Sequence, residues 1–101
     1  MILVELYSKD DCHLCDEAKA VLEKVRREIP FVLREHKLLP GDTNWEDFKE
    51  LFPVVLVEKK LVFKYRVNEQ MLKIRLHQVQ VEIARQKGEV TEEADEGELL
   101  V

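Results

Sequence analysis

Apolar residues recur with two different periods along this chain, and each change of period marks an element. Ile2-Leu3-Val4-Glu5-Leu6-Tyr7 is a short, mostly β-favouring run that stops at polar Ser8-Lys9-Asp10-Asp11, which predicts a buried strand over 2–7. From Cys12 onward, Cys15, Ala18, Leu22, Val25 and Ile29 recur at steps of three and four, with Val21 widening the stripe. This pattern predicts an amphipathic helix with Asp11 as N-cap, ending before Pro30. A second strand over 31–38 starts apolar and turns polar, as an edge strand does. Pro40-Gly41-Asp42 is turn chemistry, after which Thr43 or Asn44 caps a short helix over 45–51.

Beyond Pro53, the run Val54-Val55-Leu56-Val57 predicts a buried strand. Glu58-Lys59-Lys60 separates it from 61–65, where Leu61, Phe63 and Tyr65 alternate, so the pair predicts an antiparallel hairpin. Asn68 caps a last helix to about residue 86, with Leu72, Leu76, Val79 and Ile83 on one face and Gly88 at the C-terminal cap position. The predicted class is α/β, in the order β-α-β-α-β-β-α.

A chain of 101 residues is one domain's worth, and 46% apolar with 37% charged residues is a soluble globular composition. No run approaches the roughly 20 apolar residues of a membrane span. Six of the 21 acids and no Lys or Arg fall in 88–101, which leaves 16 basic and 15 acidic residues in 1–87. A folded domain over 1–87 with an acidic, disordered tail over 88–101 is expected, Leu99-Leu100-Val101 being read as a frayed end. Neither part has the clustered basic charge that phosphate binding requires, so nucleic acid is not an expected partner. Met1-Ile2-Leu3-Val4 followed by Glu5 has no secretory signal pattern, and a cytoplasmic location is expected.

Cys12 and Cys15 are the only cysteines, too few and too close to staple a secreted domain. Three residues apart at a helix start, their α-carbons fall within disulfide reach. Unpaired N–H groups and the helix dipole favour a negative sulfur at Cys12, making it the nucleophile. Cys15, one turn along the apolar stripe, is the resolving thiol. Lys9 and a protonated His13 would favour the thiolate, whereas Asp10, Asp11, Asp16 and Glu17 would oppose it.

The segment Tyr7-Ser8-Lys9-Asp10-Asp11-Cys12-His13-Leu14-Cys15, joined to Phe52-Pro53-Val54 about forty residues later, resembles the glutaredoxin-like branch of the thioredoxin fold over residues 2–86. The resemblance implies a four-stranded mixed sheet flanked by helices and thiol–disulfide oxidoreductase activity. It implies a cis bond at Pro53 beside the disulfide, with the backbone at Phe52 pairing to an incoming thiol substrate, and it matches Lys9 to the family's lysine near the first Cys. Glutathione-using members carry a Gly-Gly pair and an acid after the fourth strand. Here Phe63-Lys64-Tyr65-Arg66-Val67-Asn68 stands instead, which disfavours glutathione because bulky side chains obstruct close backbone approach. Thioredoxins carry a buried acid six residues before the first Cys, where this chain has Leu6, and a Trp-Cys-Gly-Pro-Cys motif in place of Cys-His-Leu-Cys.

The expected partners are a protein or small-molecule disulfide and an unidentified reductant, with no prosthetic group required. Two other readings stay open: an Fe–S or zinc module using the cysteine pair, and a redox-inert interaction domain. A zinc site needs about four ligands, and His36 and His77 lack paired metal-ligand spacing, so each is read as an ordinary surface or strand histidine and no metal site is assigned. Trp45 is read as packing with Phe48 and Leu51, outside the site. The chain is read as a monomer, with Ile74 and Val81 as the surface through which a dimer would form.

Overall fold

The computed structural model describes residues 1–86. Its elements run β1 (Leu3–Lys9), α1 (His13–Glu28), β2 (Val32–Leu38), α2 (Trp45–Phe48), β3 (Val54–Val57), β4 (Lys60–Lys64) and α3 (Glu69–Gln86), the order the periodicity predicts. The sheet order is β2-β1-β3-β4, with β1 parallel to β2 and antiparallel to β3, and β3 antiparallel to β4. The sheet is therefore mixed, and the half-polar strand β2 lies at an edge. The expected tail over 88–101, its terminal Leu99-Leu100-Val101 and the Gly88 cap lie outside the described residues. Among the described residues no helix is long and apolar enough to cross a membrane.

Alternation along β1 divides the molecule. Val4 and Leu6 face the main core, where Val55 and Val57 meet Ala18, Leu22 and Val25 of α1 and Leu72, Leu76 and Val79 of α3. Ile83, the fourth residue of the predicted stripe on α3, is only partly buried against that core. Ile74 is half exposed and Val81 half buried on the other side of the helix.

Several boundaries differ from expectation, each for a local reason. β1 continues through Ser8 and Lys9 because both pair in register with Lys37 and Leu38 of β2. Buried Ser8 is satisfied by donating its hydroxyl hydrogen to Glu35, at 3.1 Å. The second helix is a single turn that relaxes into turns before residue 52, because the residue ahead of a proline is driven out of helical conformation. Its cap is Asn44, in left-handed conformation (φ 76) and without a side-chain cap bond. The hairpin loop is only Glu58-Lys59, both at positive φ (51 and 70), a two-residue turn matched to strand twist. The alternation of Leu61, Phe63 and Tyr65 is broken by a register shift opposite Val55 and Leu56. Leu61 and Tyr65 are exposed as a result, and Val62 packs on the core beside Phe63.

On the other face of β1 sits Glu5, 4% exposed. Its Oε2 lies 3.1 Å from His36 Nε2, and Lys59 Nζ lies 3.4 Å from each carboxylate oxygen. Oε1 is buried without a hydrogen-bond partner, so the carboxylate's desolvation is only partly compensated. Replacing the pair together, as Glu5→Leu with His36→Leu, is therefore expected to leave stability unchanged or raise it by about 1–4 kcal/mol, since Lys59 is exposed and returns to solvent. A fall in the urea midpoint would contradict this.

A second carboxylate gives a pH dependence. Burial pushes the Glu35 carboxyl up, but hydrogen bonds from Lys19 and Ser8 and the charges of Lys19 and Lys37 outweigh it, holding the group below its ordinary value of 4.5. A carboxyl depressed in the folded state contributes stability that is present above its unfolded value and lost as pH falls through the folded one. The stability difference between wild type and Glu35→Gln should thus be constant near neutrality and shrink on acidification below about pH 4.5. Denaturation at a series of pH values measures it.

Candidate functional site

The site forms where the central strand ends and the first helix begins. Asp11 adopts a left-handed conformation (φ 54), which Asp tolerates better than most residues, and this swings the chain from β1 into α1. The N-cap is consequently Cys12, one residue beyond the predicted Asp11, with extended φ −116 and ψ 98. Its carbonyl accepts from Asp16 N–H at 3.2 Å and its Sγ accepts from Cys15 N–H at 3.1 Å. The sulfur thus occupies the place of a capping oxygen, among donors that the helix leaves unpaired.

Cys12 and Cys15 are joined in a disulfide, with Cα atoms 5.2 Å apart. Cys15 is 3% exposed and Cys12 is half buried, which follows from their places on the apolar stripe. Cys15, Leu38 and Phe52 form a small second core, with Tyr7, Cys12, Trp45 and Phe48 packed on it. Trp45, set outside the site on sequence grounds, therefore packs on the cluster that holds both cysteines, its ring centroid 5.7 Å from that of Phe52. The Phe52–Pro53 bond is cis and Pro53 is buried.

The two residues expected to tune the sulfur lie outside this apolar cluster. Lys9 is half buried at the end of β1, while the His13 side chain is 85% exposed with Nε2 2.9 Å from Glu17 Oε2. Two of the four nearby acids have cationic neighbours: Glu17 Oε1 lies 3.6 Å from Arg66, and Asp10 lies 3.9 Å from Lys37. Among the described residues no three His, Cys, Asp or Glu side chains form a group able to hold a metal ion.

Features the sequence did not signal complete the surroundings. Tyr7 stacks on His36 with centroids 4.6 Å apart and meets Phe48 edge-on at 5.0 Å, which links the Glu5–His36 pair to the cysteine cluster. After β4, Tyr65 takes φ 71, and Arg66 N–H bonds back to Lys64 C=O at 2.8 Å. This is a γ-turn of the strained hand, of the kind that costs on the order of 1–3 kcal/mol when a bulky residue occupies it. Tyr65 N–H bonds both Leu51 C=O and Pro53 C=O, at 3.0 and 2.9 Å, which ties the turn to the segment bearing the cis-proline. A glycine at 65 would have announced positive φ, whereas a tyrosine gives no such signal.

A model of the glutaredoxin-like domain family (DUF836) matches residues 3–77. The chain belongs to this family. Among solved structures, a structural-genomics target protein from X. campestris is similar over 74% of this chain and 96% of its own, at 21% identity and TM-score 0.62. Thioredoxin 1 from Thermosipho africanus is similar over 82% and 98%, at 11% identity and TM-score 0.53. Mitochondrial thioredoxin 3 from Saccharomyces cerevisiae, in its oxidized form, is similar over 76% and 77%, at 19% identity and TM-score 0.50. These likenesses show the thioredoxin fold, and the family membership together with the disulfide geometry supports a redox-type function.

Trp45 is the only tryptophan and packs on the cluster containing both sulfurs, so its fluorescence should report their state. Because disulfides quench a nearby indole, adding dithiothreitol should raise the emission. Cys12→Ser and Cys15→Ser proteins should already be bright and unresponsive; a wild-type spectrum indifferent to reductant would contradict the packing.

Proposed function

We propose that this glutaredoxin-like protein is a dithiol thiol–disulfide oxidoreductase. The observation that carries the reading is the position of Cys12 Sγ as helix N-cap, accepting Cys15 N–H, with buried Cys15 as its disulfide partner. In the reduced protein the same amide and the helix dipole would stabilise a Cys12 thiolate. The paired cations at Glu17 and Asp10 offset part of the acidic surroundings.

The thiolate of Cys12 attacks one sulfur of a substrate disulfide, forming a mixed disulfide and releasing the other sulfur as a thiolate that takes up a proton. Cys15 then loses its proton and attacks Cys12 Sγ. The Cys12–Cys15 bond forms and the second substrate thiolate departs, so two electrons have moved from the pair to the substrate. An external dithiol or reductase restores the pair, and no prosthetic group takes part. Phe52 and Pro53 would line the place where substrate meets the pair, while Lys9 and His13 would act on the sulfur only through their charge. The substrates are protein or small-molecule disulfides in a reducing compartment such as the cytoplasm.

The roles predict distinct variants. With a protein disulfide and excess dithiothreitol, wild type should accelerate reduction and Cys12→Ser should abolish the acceleration. With dithiothreitol removed, pre-reduced Cys15→Ser should accumulate a mixed disulfide with the substrate, detectable by mass spectrometry on Cys12. Trapping on Cys15 in the Cys12→Ser protein, or no turnover by wild type, would refute the assignment.

A further inference from the structure

The apolar stripe on α3 runs past the core that it covers. Leu72, Leu76 and Val79 are 0%, 0% and 3% exposed, whereas Ile83, one turn further on, is only partly buried. There the helix borders a groove of about 180 Å³ lined by Met1, Ile2, Pro30, Gln80, Ile83 and Ala84. Val32 N–H donates to Ile2 C=O at 2.8 Å, which fixes the walls on either side of Pro30. The groove opens where β1 starts, at the end of the sheet away from Cys12 and Cys15. We propose that the segment Leu99-Leu100-Val101 of this same chain docks in the groove, with the acids between 89 and 98 passing along Arg26 and Arg27. The proposal is independent of the oxidoreductase reading.

Three observations point to this occupant. The first is chemistry: the lining is mostly aliphatic, Met1 is 82% exposed, and Leu99-Leu100-Val101 is the only run of consecutive apolar residues beyond α3. Docking would take apolar surface out of water on both sides. The second is reach. Gln80, Ile83 and Ala84 line the groove, so α3 ends within a turn of it at Gln86. Residues 87–98 can span about 40 Å when extended, ample for a return to the same helix end. Such a tether raises the local concentration of the segment to about the millimolar range, so a contact too weak between separate molecules forms within one.

The third is charge. Glu89, Glu92, Glu93, Asp95, Glu96 and Glu98 precede the apolar triplet with no Lys or Arg among them. Arg26 and Arg27, both exposed, stand in the last turn of α1, one turn before Pro30 of the groove wall. Neither enters an ion pair within the described residues, unlike Lys19, Lys24 and Lys73 on the same two long helices. An acidic segment is the complement of that arginine pair, and neutralising part of its charge lowers the self-repulsion that opposes docking.

The test uses the full-length chain with Cys12→Ser, Cys15→Ser and Gly97→Cys, a nitroxide on the introduced thiol and isotope-labelled methyl groups. The nitroxide should broaden the Ile2 and Ile83 methyl signals and spare Leu14, which lies about 24 Å from Pro30 along α1. Adding Leu99→Ser and Leu100→Ser should abolish the broadening, and adding Arg26→Glu and Arg27→Glu should reduce it. A mixture of nitroxide-bearing protein without isotope and isotope-labelled protein without nitroxide should show none. Broadening in that mixture would give the groove to a second copy of the chain, and no broadening at Ile2 and Ile83 within one molecule would leave it to another protein; either overturns the proposal. A second measurement keeps both cysteines. In otherwise wild-type protein, Leu99→Ser with Leu100→Ser should shift the Ile2 and Ile83 methyl resonances, and unmoved resonances would likewise overturn it. None of these readouts depends on redox turnover.

Discussion

The arrangement depends on a helix beginning where the central strand ends, with a sulfur as its cap. A helix start leaves amide hydrogens unpaired, and the nearest acceptor here is Cys12 Sγ, which takes the Cys15 N–H at 3.1 Å. The left-handed turn at Asp11 makes this possible within two residues of the last strand pairing, Lys9 with Leu38. One geometric event thus sets the exposure of Cys12, the burial of Cys15 and the 5.2 Å separation of their α-carbons. The rest of the fold holds that junction in place: β1 is flanked by β2 and β3, and α1 is locked to the sheet by Ala18, Leu22 and Val25.

The two faces of the sheet are built differently, which bears on the chemistry. One carries two long helices over an aliphatic core. Among the described residues the other carries the single turn of α2, whose aromatic residues Trp45 and Phe48 pack on the cluster of Cys15, Leu38 and Phe52 beside Tyr7 and Cys12. Away from that cap the face hosts a carboxylate, Glu5, held by His36 and Lys59. Tyr7, stacked on His36, is where the charged and aromatic parts meet. A strand that alternates aliphatic with Glu and Tyr is thereby used on both sides.

The turn after β4 is made of bulky and charged residues, Tyr65 and Arg66. A glycine there would leave open backbone, whereas Tyr65 and Arg66 build a rim whose cation pairs with Glu17 of α1. The strain at Tyr65 is offset by the two hydrogen bonds to its amide, so the rim keeps a fixed relation to the cis-proline segment.

Element order, the hairpin, the edge position of β2 and the cysteine pair were all legible in the chain itself, because each is announced by a short-range signal: a period, a proline, a three-residue spacing. Asn68 was legible as the cap of α3 for the same reason, and its Oδ1 accepts the Met71 N–H at 2.9 Å. The Asp11 to Cys12 displacement of the cap, the left-handed Tyr65, the burial of Glu5 between His36 and Lys59, and the approach of Arg66 to Glu17 were not legible. Residues 5 and 59, or 17 and 66, are joined only after the strands pair and the helices dock, and no local preference encodes a contact across that distance in sequence. The amino-acid sequence by itself determined which thiols are paired and where the helix that carries them begins to within one residue. Tertiary structure decided which charges and rings surround them, because those neighbours come from strands and turns far along the chain.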